Sequence, residues 1–114
     1  MITCASPKSL DKIRNQEVLV AMTKVLESGD YILGGQVSQF ELNFSKFIRQ
    51  NHGVGVNSGT DALILSLRAL GVGVGDEVIT VSHTALATVS AIVSCGATPV
   101  LVDIEEDYFS INPL

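Results

Sequence analysis

The sequence has few basic residues and no basic cluster. Seven Lys and Arg residues stand against twelve Asp and Glu residues, and the formal net charge is -5. A nucleic acid or an anionic membrane is held by a concentrated positive patch on the protein surface, and this sequence offers none. We therefore expect neither nucleic acid nor a membrane among the partners of this chain.

Long apolar runs and a secretory signal are also absent from the sequence. No run reaches the length needed to span a bilayer, and the N-terminus lacks the basic start and apolar stretch of a signal peptide. These absences favour a cytoplasmic protein. Cys4 and Cys95 have no metal-ligand spacing, so we expect no metal site and interpret Cys95 as a buried thiol.

The residues that are present indicate a well-packed globular domain. Hydrophobic residues make up 46% of the 114 positions and charged residues 17%, a balance that excludes a disordered or fibrous chain. This length suffices for one core and is too short for two ordinary domains.

The first fifty residues read as helical. Ser9 can cap a helix whose apolar residues recur every three or four positions and which ends near Gly29. A second helix shows the same spacing from Val37 to Ile48. The glycine-rich segment 29–35 between them is predicted to be a loop.

After residue 52 the pattern alternates between strand and helix. Strands are predicted at 53–57, 77–82 and 99–104, and helices at 60–70 and 84–94, the last stopped at Gly96. This order predicts an α/β fold, two helices followed by β-α-β-α-β, with parallel strands joined by crossover helices. The apolar strands predict a sheet covered on both faces. Since three such strands need further neighbours, we expect the sheet to continue beyond Leu114.

The turn at Ser58 to Asp61 is the strongest candidate site. It lies where a predicted strand enters a helix, and unpaired N–H groups and the helix dipole favour an anion such as phosphate there. A simple helix cap by Ser58 or Thr60 explains the same residues equally well. The Asp61 carboxylate would repel a phosphate, so a phosphate cradle requires that its backbone N–H face the ligand while its side chain points elsewhere.

Two further candidates follow later strands. His83 comes after the second predicted strand and Asp103 after the apolar run of the third, so both belong at the edge where parallel sheets bind ligands. His83 is otherwise an ordinary polar residue, and Asp103 the start of a solvated acidic turn. Segment 71–76 resembles a dinucleotide-binding glycine pattern, but it follows a helix and precedes a strand, so Gly71 is interpreted as a helix stop and Gly75-Asp76 as a turn.

Five segments in series resemble a known family. They are Gly-Asp-Tyr-Ile-Leu-Gly-Gly-Gln-Val-Ser-Gln-Phe-Glu (29–41), Ser-Gly-Thr-Asp-Ala-Leu (58–63), Gly-Asp-Glu-Val-Ile (75–79), Thr-Ala-Leu-Ala-Thr (84–88) and Gly-Ala-Thr-Pro-Val-Leu-Val-Asp-Ile (96–104). In this order and spacing they are similar to the start of the DegT/DnrJ/EryC1/StrS aminotransferases, sugar aminotransferases that use pyridoxal phosphate. The resemblance extends over nearly the whole chain.

The resemblance implies the N-terminal part of a fold-type-I large domain, working as a homodimer on a nucleotide-linked keto sugar with glutamate or glutamine as amino donor. It divides the chain into a helical segment with a substrate-side loop (1–50) and the start of the cofactor-binding domain (51–114). The substrate side would include Tyr31, Leu33 and Gly34.

For the cofactor, the resemblance assigns the phosphate to the backbone amides of Thr60 and Asp61, in a turn shaped by Ser58 and Gly59. Many relatives carry an aromatic residue where this chain has Ala85. We therefore expect His83 to stack on the pyridine ring.

The lysine that forms a Schiff base in this family has no counterpart here. The lysines are Lys8, Lys12, Lys24 and Lys46, all in the helical part and interpreted as solvated charges. Transamination needs that lysine and a carboxylate for the pyridine nitrogen, and the family supplies both from later segments. No catalytic residue is assigned, and this chain alone is expected to be inactive. Two alternatives remain: a dehydratase of the same family, and a non-catalytic module that binds phosphate or a nucleotide.

Overall fold

A computed structural model describes residues 12–113 of the chain. The contacts divide it into two compact units, one up to Gly55 and one from Val56 onward. Each unit is described by itself. None of the helices in the described residues has the length and apolar character needed to cross a bilayer.

The first unit contains the two predicted helices. Helix α1 runs from Lys12 to Ser28 and helix α2 from Gly35 to Phe47. Gly29, with φ 71°, takes the left-handed conformation that commonly ends a helix. Both helices are confirmed, while the predicted cap Ser9 lies outside the described residues.

The apolar side chains of these helices remain largely in solvent. Val18, Met22 and Leu26 recur at the expected spacing on α1, yet all three are exposed in this unit. Ser45 is its single buried residue among those described, and its hydroxyl donates to the Leu42 carbonyl at 3.0 Å. The described part of the first unit therefore has no apolar core of its own.

The second unit has the order helix, strand, helix, strand. Helix α3 spans Gly59–Ala69, strand β1 Glu77–Val81, helix α4 Leu86–Ser94 and strand β2 Thr98–Val102. The two strands are parallel, with Ile79 opposite Val100, as the alternating pattern predicts. Gly71, with φ 81°, follows the end of α3 and confirms the predicted helix stop.

The first predicted strand, 53–57, is wrong for this structure. Residues 53–57 belong to no strand, and the two-stranded sheet consists of β1 and β2. A strand is defined by hydrogen bonds to a neighbour, and no described segment pairs with residues 53–57. The N–H of Gly55 instead donates to Oε1 of Glu41 in the first unit, at 2.7 Å.

Two other boundaries shift for local reasons. Helix α4 begins at Leu86 instead of Thr84, because the Thr84 N–H closes a tight turn onto the Ser82 carbonyl at 3.0 Å. Strand β2 ends at Val102, and Ile104 forms only an isolated antiparallel bridge with Ile111.

Helix α4 supplies the core of the second unit. It contacts α3 and both strands, and its Ala91 and Ile92 are buried, with Ala97 just after it. The guanidinium of Arg68 donates to the Ser94 carbonyl at 3.3 Å, where a cation suits the negative end of the α4 dipole. Cys95 is half-buried instead of fully buried, and its Sγ lies 3.6 Å from the Ile64 carbonyl oxygen.

The sheet keeps apolar surface on both faces. Ile79 is 61% exposed and Leu101 is 55% exposed. Leu101 follows Val100, the partner of Ile79, so the two exposed side chains project from opposite faces. The predicted sheet covered on both faces is thus not formed by the described residues alone.

Candidate functional site

The turn that opens α3 is a capped helix N-terminus. Ser58 is the N-cap residue, with extended backbone at φ -155° and ψ 160°. Its Oγ accepts the Asp61 N–H at 3.1 Å and donates to Asp61 Oδ2 at 3.3 Å. The Ser58 carbonyl accepts the Ala62 N–H at 3.0 Å. The capping role proposed from the sequence for Ser58 is present in this geometry.

The cap leaves two backbone donors at the start of α3. The first N–H groups of any helix lack an acceptor within the helix. Here the Asp61 N–H goes to Ser58, whereas those of Gly59 and Thr60 have no acceptor among the described residues. A Cβ built on Gly59 would meet nothing within 4 Å among the described residues, so a side chain could be placed at this position without a clash.

The residues assigned to the phosphate differ in whether their N–H groups are available. Gly59 and Thr60 offer N–H groups and the positive end of the α3 dipole, a combination that fits a phosphate. Asp61 offers its N–H only in competition with the Ser58 hydroxyl, which already accepts it. The Asp61 carboxylate is engaged by that same hydroxyl, so both halves of Asp61 belong to the cap.

His83 lies in the loop after β1, in the same unit. Its ring pairs with that of Phe109, with centroids 6.0 Å apart and planes inclined by 36°. Next to it, the hydroxyls of Thr84 and Thr88 lie 2.9 Å apart. Phe109 was not among the site residues predicted from the sequence. Its position just beyond the third predicted strand, at the same sheet edge as His83, is a signal that could have identified it.

Asp103 belongs to a closed turn. Its carbonyl accepts the Asn112 N–H at 3.0 Å, and the Glu105 N–H donates to the Ser110 carbonyl at 3.0 Å. The Asp103 side chain is exposed. A solvated acidic turn, the alternative interpretation of this segment, describes what is seen.

The predicted substrate-side residues lie in the loop between α1 and α2, in the first unit. The Tyr31 hydroxyl donates to the Leu26 carbonyl at 3.0 Å, and Leu33 takes a left-handed φ of 51°. A Cβ on Gly34 would overlap the Asp30 carboxylate, whose Oδ2 accepts the Gly35 N–H at 3.3 Å. Tyr31 and Leu33 are exposed.

Comparison with known proteins shows the family of this chain. The model of the DegT/DnrJ/EryC1/StrS aminotransferase family matches residues 12–114. A dTDP-3-amino-3,4,6-trideoxy-alpha-D-glucose transaminase of Streptomyces venezuelae is 49% identical over 86% of this chain and 26% of its own length. A dTDP-3-amino-3,6-dideoxy-alpha-D-galactopyranose transaminase of Aneurinibacillus thermoaerophilus is 43% identical over 100% of this chain and 31% of its own length.

Solved structures agree with this placement. DesV of S. venezuelae, in complex with a ketimine intermediate, superposes with a TM-score of 0.84 and 47% identity over 87% of this chain and 27% of its own. NtdA of Bacillus subtilis, with bound cofactor PMP, superposes with a TM-score of 0.86 and 34% identity, over 90% of this chain and 24% of its own. The GDP-4-keto-6-deoxy-D-mannose-3-dehydratase of E. coli, with bound hydrated PLP, superposes with a TM-score of 0.80 and 26% identity, over 94% of this chain and 28% of its own.

These comparisons confirm the predicted fold class, the N-terminal part of a fold-type-I large domain. Two of these solved relatives bind the cofactor predicted from the sequence, pyridoxal phosphate, either as PLP or as its amine form PMP. The chain spans only about a quarter to a third of the length of the curated relatives.

Proposed function

The chain belongs to the DegT/DnrJ/EryC1/StrS aminotransferase family, and we propose that it supplies the phosphate-binding turn of a pyridoxal-phosphate-dependent aminotransferase of nucleotide-linked keto sugars. The observation that carries the proposal is the pair of N–H groups on Gly59 and Thr60, which have no acceptor among the described residues, at the capped N-terminus of α3. Two dTDP-sugar transaminases among its relatives support the substrate class.

Each residue of the turn has a distinct task in this proposal. Gly59 and Thr60 donate their N–H groups to the cofactor phosphate, and the α3 dipole adds to the attraction. Ser58 holds the turn in shape by capping Asp61, and it keeps the Asp61 carboxylate hydrogen-bonded to its hydroxyl. His83 contributes a ring that stacks on the pyridine.

The bound cofactor supplies an electron-accepting ring, and the protein supplies its position. The lysine and the carboxylate that such chemistry needs are not assigned to any residue of this chain, because the resemblance to the family places both in later segments. We therefore propose that this chain alone holds the phosphate and does not transfer an amino group.

The remaining parts of the proposal concern the assembly. The donor is glutamate or glutamine, the protein works as a homodimer in the cytoplasm, and residues 1–50 with the loop at Tyr31, Leu33 and Gly34 form the substrate side. Residues 51–114 begin the cofactor-binding domain.

A titration with two cofactor forms tests the phosphate role. Pyridoxal phosphate and pyridoxal differ only in the phosphate group, so binding through the α3 turn predicts that pyridoxal phosphate raises the melting temperature and pyridoxal does not. Equal shifts with both compounds would contradict a phosphate site. Activity is measured separately on the full protein, by following amino transfer from glutamate or glutamine to a dTDP- or UDP-linked keto sugar.

His83 is tested by its own substitution. In the full protein, His83→Ala is expected to weaken pyridoxal phosphate binding, because the stacked ring is removed. His52→Ala, which removes the other described histidine, is the matched control. An affinity unchanged by His83→Ala would exclude the stacking role and leave the phosphate role standing.

A dehydratase is the second candidate, favoured by the similarity to the E. coli dehydratase. Some members of the family carry a histidine in place of the Schiff-base lysine and remove a sugar hydroxyl. Sodium borohydride reduces the C=N bond of a Schiff base between the cofactor and a lysine amine to a stable secondary amine, and a histidine forms no such Schiff base, so covalent labelling of the full protein at the lysine position distinguishes the two. A non-catalytic phosphate- or nucleotide-binding module, in contrast, would be stabilised by a nucleotide and not by pyridoxal phosphate.

A further inference from the structure

The ring of Phe109 is the closest aromatic neighbour that the described residues give to His83. The two centroids are 6.0 Å apart and the planes meet at 36°, within the range at which aromatic pairs attract each other. The residues lie in different loops, one after β1 and one after β2, so the contact ties two loops at one end of the sheet.

Phe109 is held in an uncommon backbone conformation. Its φ of 56° is left-handed, a region that a bulky side chain rarely adopts. A backbone hydrogen bond holds it there, because the Phe109 N–H donates to the Glu105 carbonyl at 3.2 Å. Glu105 also accepts the Ser110 hydroxyl through Oε1 at 2.9 Å. A strained residue persists only where its surroundings fix it, and such residues concentrate at functional sites.

The loop that carries His83 is also constrained. The turn from Ser82 to Thr84 is closed by a hydrogen bond of 3.0 Å, and the Thr84–Thr88 hydroxyl pair ties it to the first turns of α4. These contacts set the backbone at His83. They do not fix the orientation of the ring, and the Phe109 ring lies beside it at a centroid distance of 6.0 Å.

We propose that Phe109 is a positioning residue that orients the His83 ring for stacking on the planar cofactor. The proposal rests on the proposed function, since it takes the His83 ring as the cofactor contact. Phe109 acts through His83 and makes no contact of its own with the cofactor. An oriented ring loses less freedom on binding than a rotating one, which is how Phe109 would raise affinity.

Three substitutions in the full protein test the proposal. Phe109→Leu removes the ring and keeps an apolar side chain with a comparable left-handed penalty, while Phe109→Tyr retains the ring. Tyr108→Leu removes the neighbouring aromatic side chain, which is 82% exposed, and serves as the control. Two quantities are measured: the proton chemical shifts of the His83 ring, which report the nearby Phe109 ring, and the dissociation constant for pyridoxal phosphate.

The expected result is a change in the His83 ring shifts for Phe109→Leu only, with pyridoxal phosphate binding weakened about twofold to tenfold. Phe109→Tyr should leave both the ring shifts and the dissociation constant close to those of the unmodified protein. Unchanged ring shifts in Phe109→Leu would overturn the pairing. Changed shifts with unchanged affinity would overturn the positioning role while the proposed function stands. If the unmodified protein does not bind pyridoxal phosphate, the proposed function and the positioning role both fall.

Discussion

The carboxylate of Glu41 accepts a hydrogen bond from the backbone N–H of Gly55, with 2.7 Å between Oε1 and the nitrogen. The same residue limits the neighbouring glycine, because a Cβ on Gly53 would lie 3.0 Å from the Glu41 carbonyl oxygen. Glu41 on helix α2 therefore holds the Gly55 backbone through its side chain and leaves little room for a side chain at Gly53. No spacing in the sequence indicates this link.

The first prediction concerns that hydrogen bond. Glu41→Ala removes the acceptor, so the Gly55 amide should exchange with solvent about tenfold faster, the effect of losing a hydrogen bond worth about 1.4 kcal/mol. Glu41→Gln keeps an acceptor oxygen and should retain most of the protection. Glu17→Ala, at an exposed carboxylate on α1, should leave Gly55 unaffected. Equal exchange in the Ala and Gln variants would show that the side-chain oxygen does not protect Gly55.

A second prediction isolates one donor of the phosphate turn. Gly59 is the first residue of α3, where proline is well tolerated, and Ser58 before it has the extended backbone that proline requires. Gly59→Pro should therefore preserve the helix, remove one N–H and weaken pyridoxal phosphate binding about tenfold. Gly59→Ala keeps the N–H in an open position and is the matched control.

Binding of pyridoxal phosphate is measured by titration, and thermal melts of both Gly59 variants check that the helix survives. If Gly59→Pro and Gly59→Ala bind equally well, the Gly59 N–H takes no part in holding the phosphate.

The third prediction concerns the cap. Ser58→Ala leaves the Asp61 N–H without its acceptor and should lower the free energy of unfolding by about 1 kcal/mol. Ser66→Ala, in the middle of the same helix, removes a hydroxyl that only donates to the Ala62 carbonyl at 2.7 Å. Since alanine is the better helix former, Ser66→Ala should not measurably lower the free energy of unfolding. Denaturant unfolding compares the two, and equal losses would argue against a capping role.

The fourth prediction compares two glycines with left-handed backbone. Gly71 has φ 81° and open space around it, whereas a Cβ on Gly96, with φ 85°, would lie 2.8 Å from Cγ2 of Val74. Gly71→Ala should lower the free energy of unfolding by about 1–2 kcal/mol, because alanine disfavours the left-handed backbone. Gly96→Ala should cost more, because the overlap adds to the same backbone penalty.

A double substitution checks the origin of that difference. Combining Gly96→Ala with Val74→Ala removes the overlapping methyl group, so the cost should fall toward that of Gly71→Ala. A strictly additive result in denaturant unfolding would place the extra cost elsewhere.

Much of the fold could be predicted from local sequence patterns. The apolar spacing of α1, the glycine stop at Gly71 and the parallel pairing of β1 with β2 were all predictable, since each depends on periodicity, glycine conformation or chain order. The absence of a strand at 53–57 was not predictable, because strand pairing depends on a neighbour that the segment itself does not encode.

The geometry of the α3 turn was predictable only in part. Ser58 as a cap follows from its position before a helix. That its hydroxyl takes the Asp61 N–H, leaving Gly59 and Thr60 as the available donors, depends on side-chain rotation that the sequence does not specify. The contact between His83 and Phe109 joins two loops, and only the folded sheet brings them together.

The capped turn at Ser58 also affects how a ligand would bind. Because the serine hydroxyl already fixes the first turn of α3, the donors of Gly59 and Thr60 are held in place by the protein itself. A phosphate arriving there meets a preorganised surface, and none of its binding energy is consumed in ordering the turn. Affinity at this position is then set by the contacts made and by the water displaced.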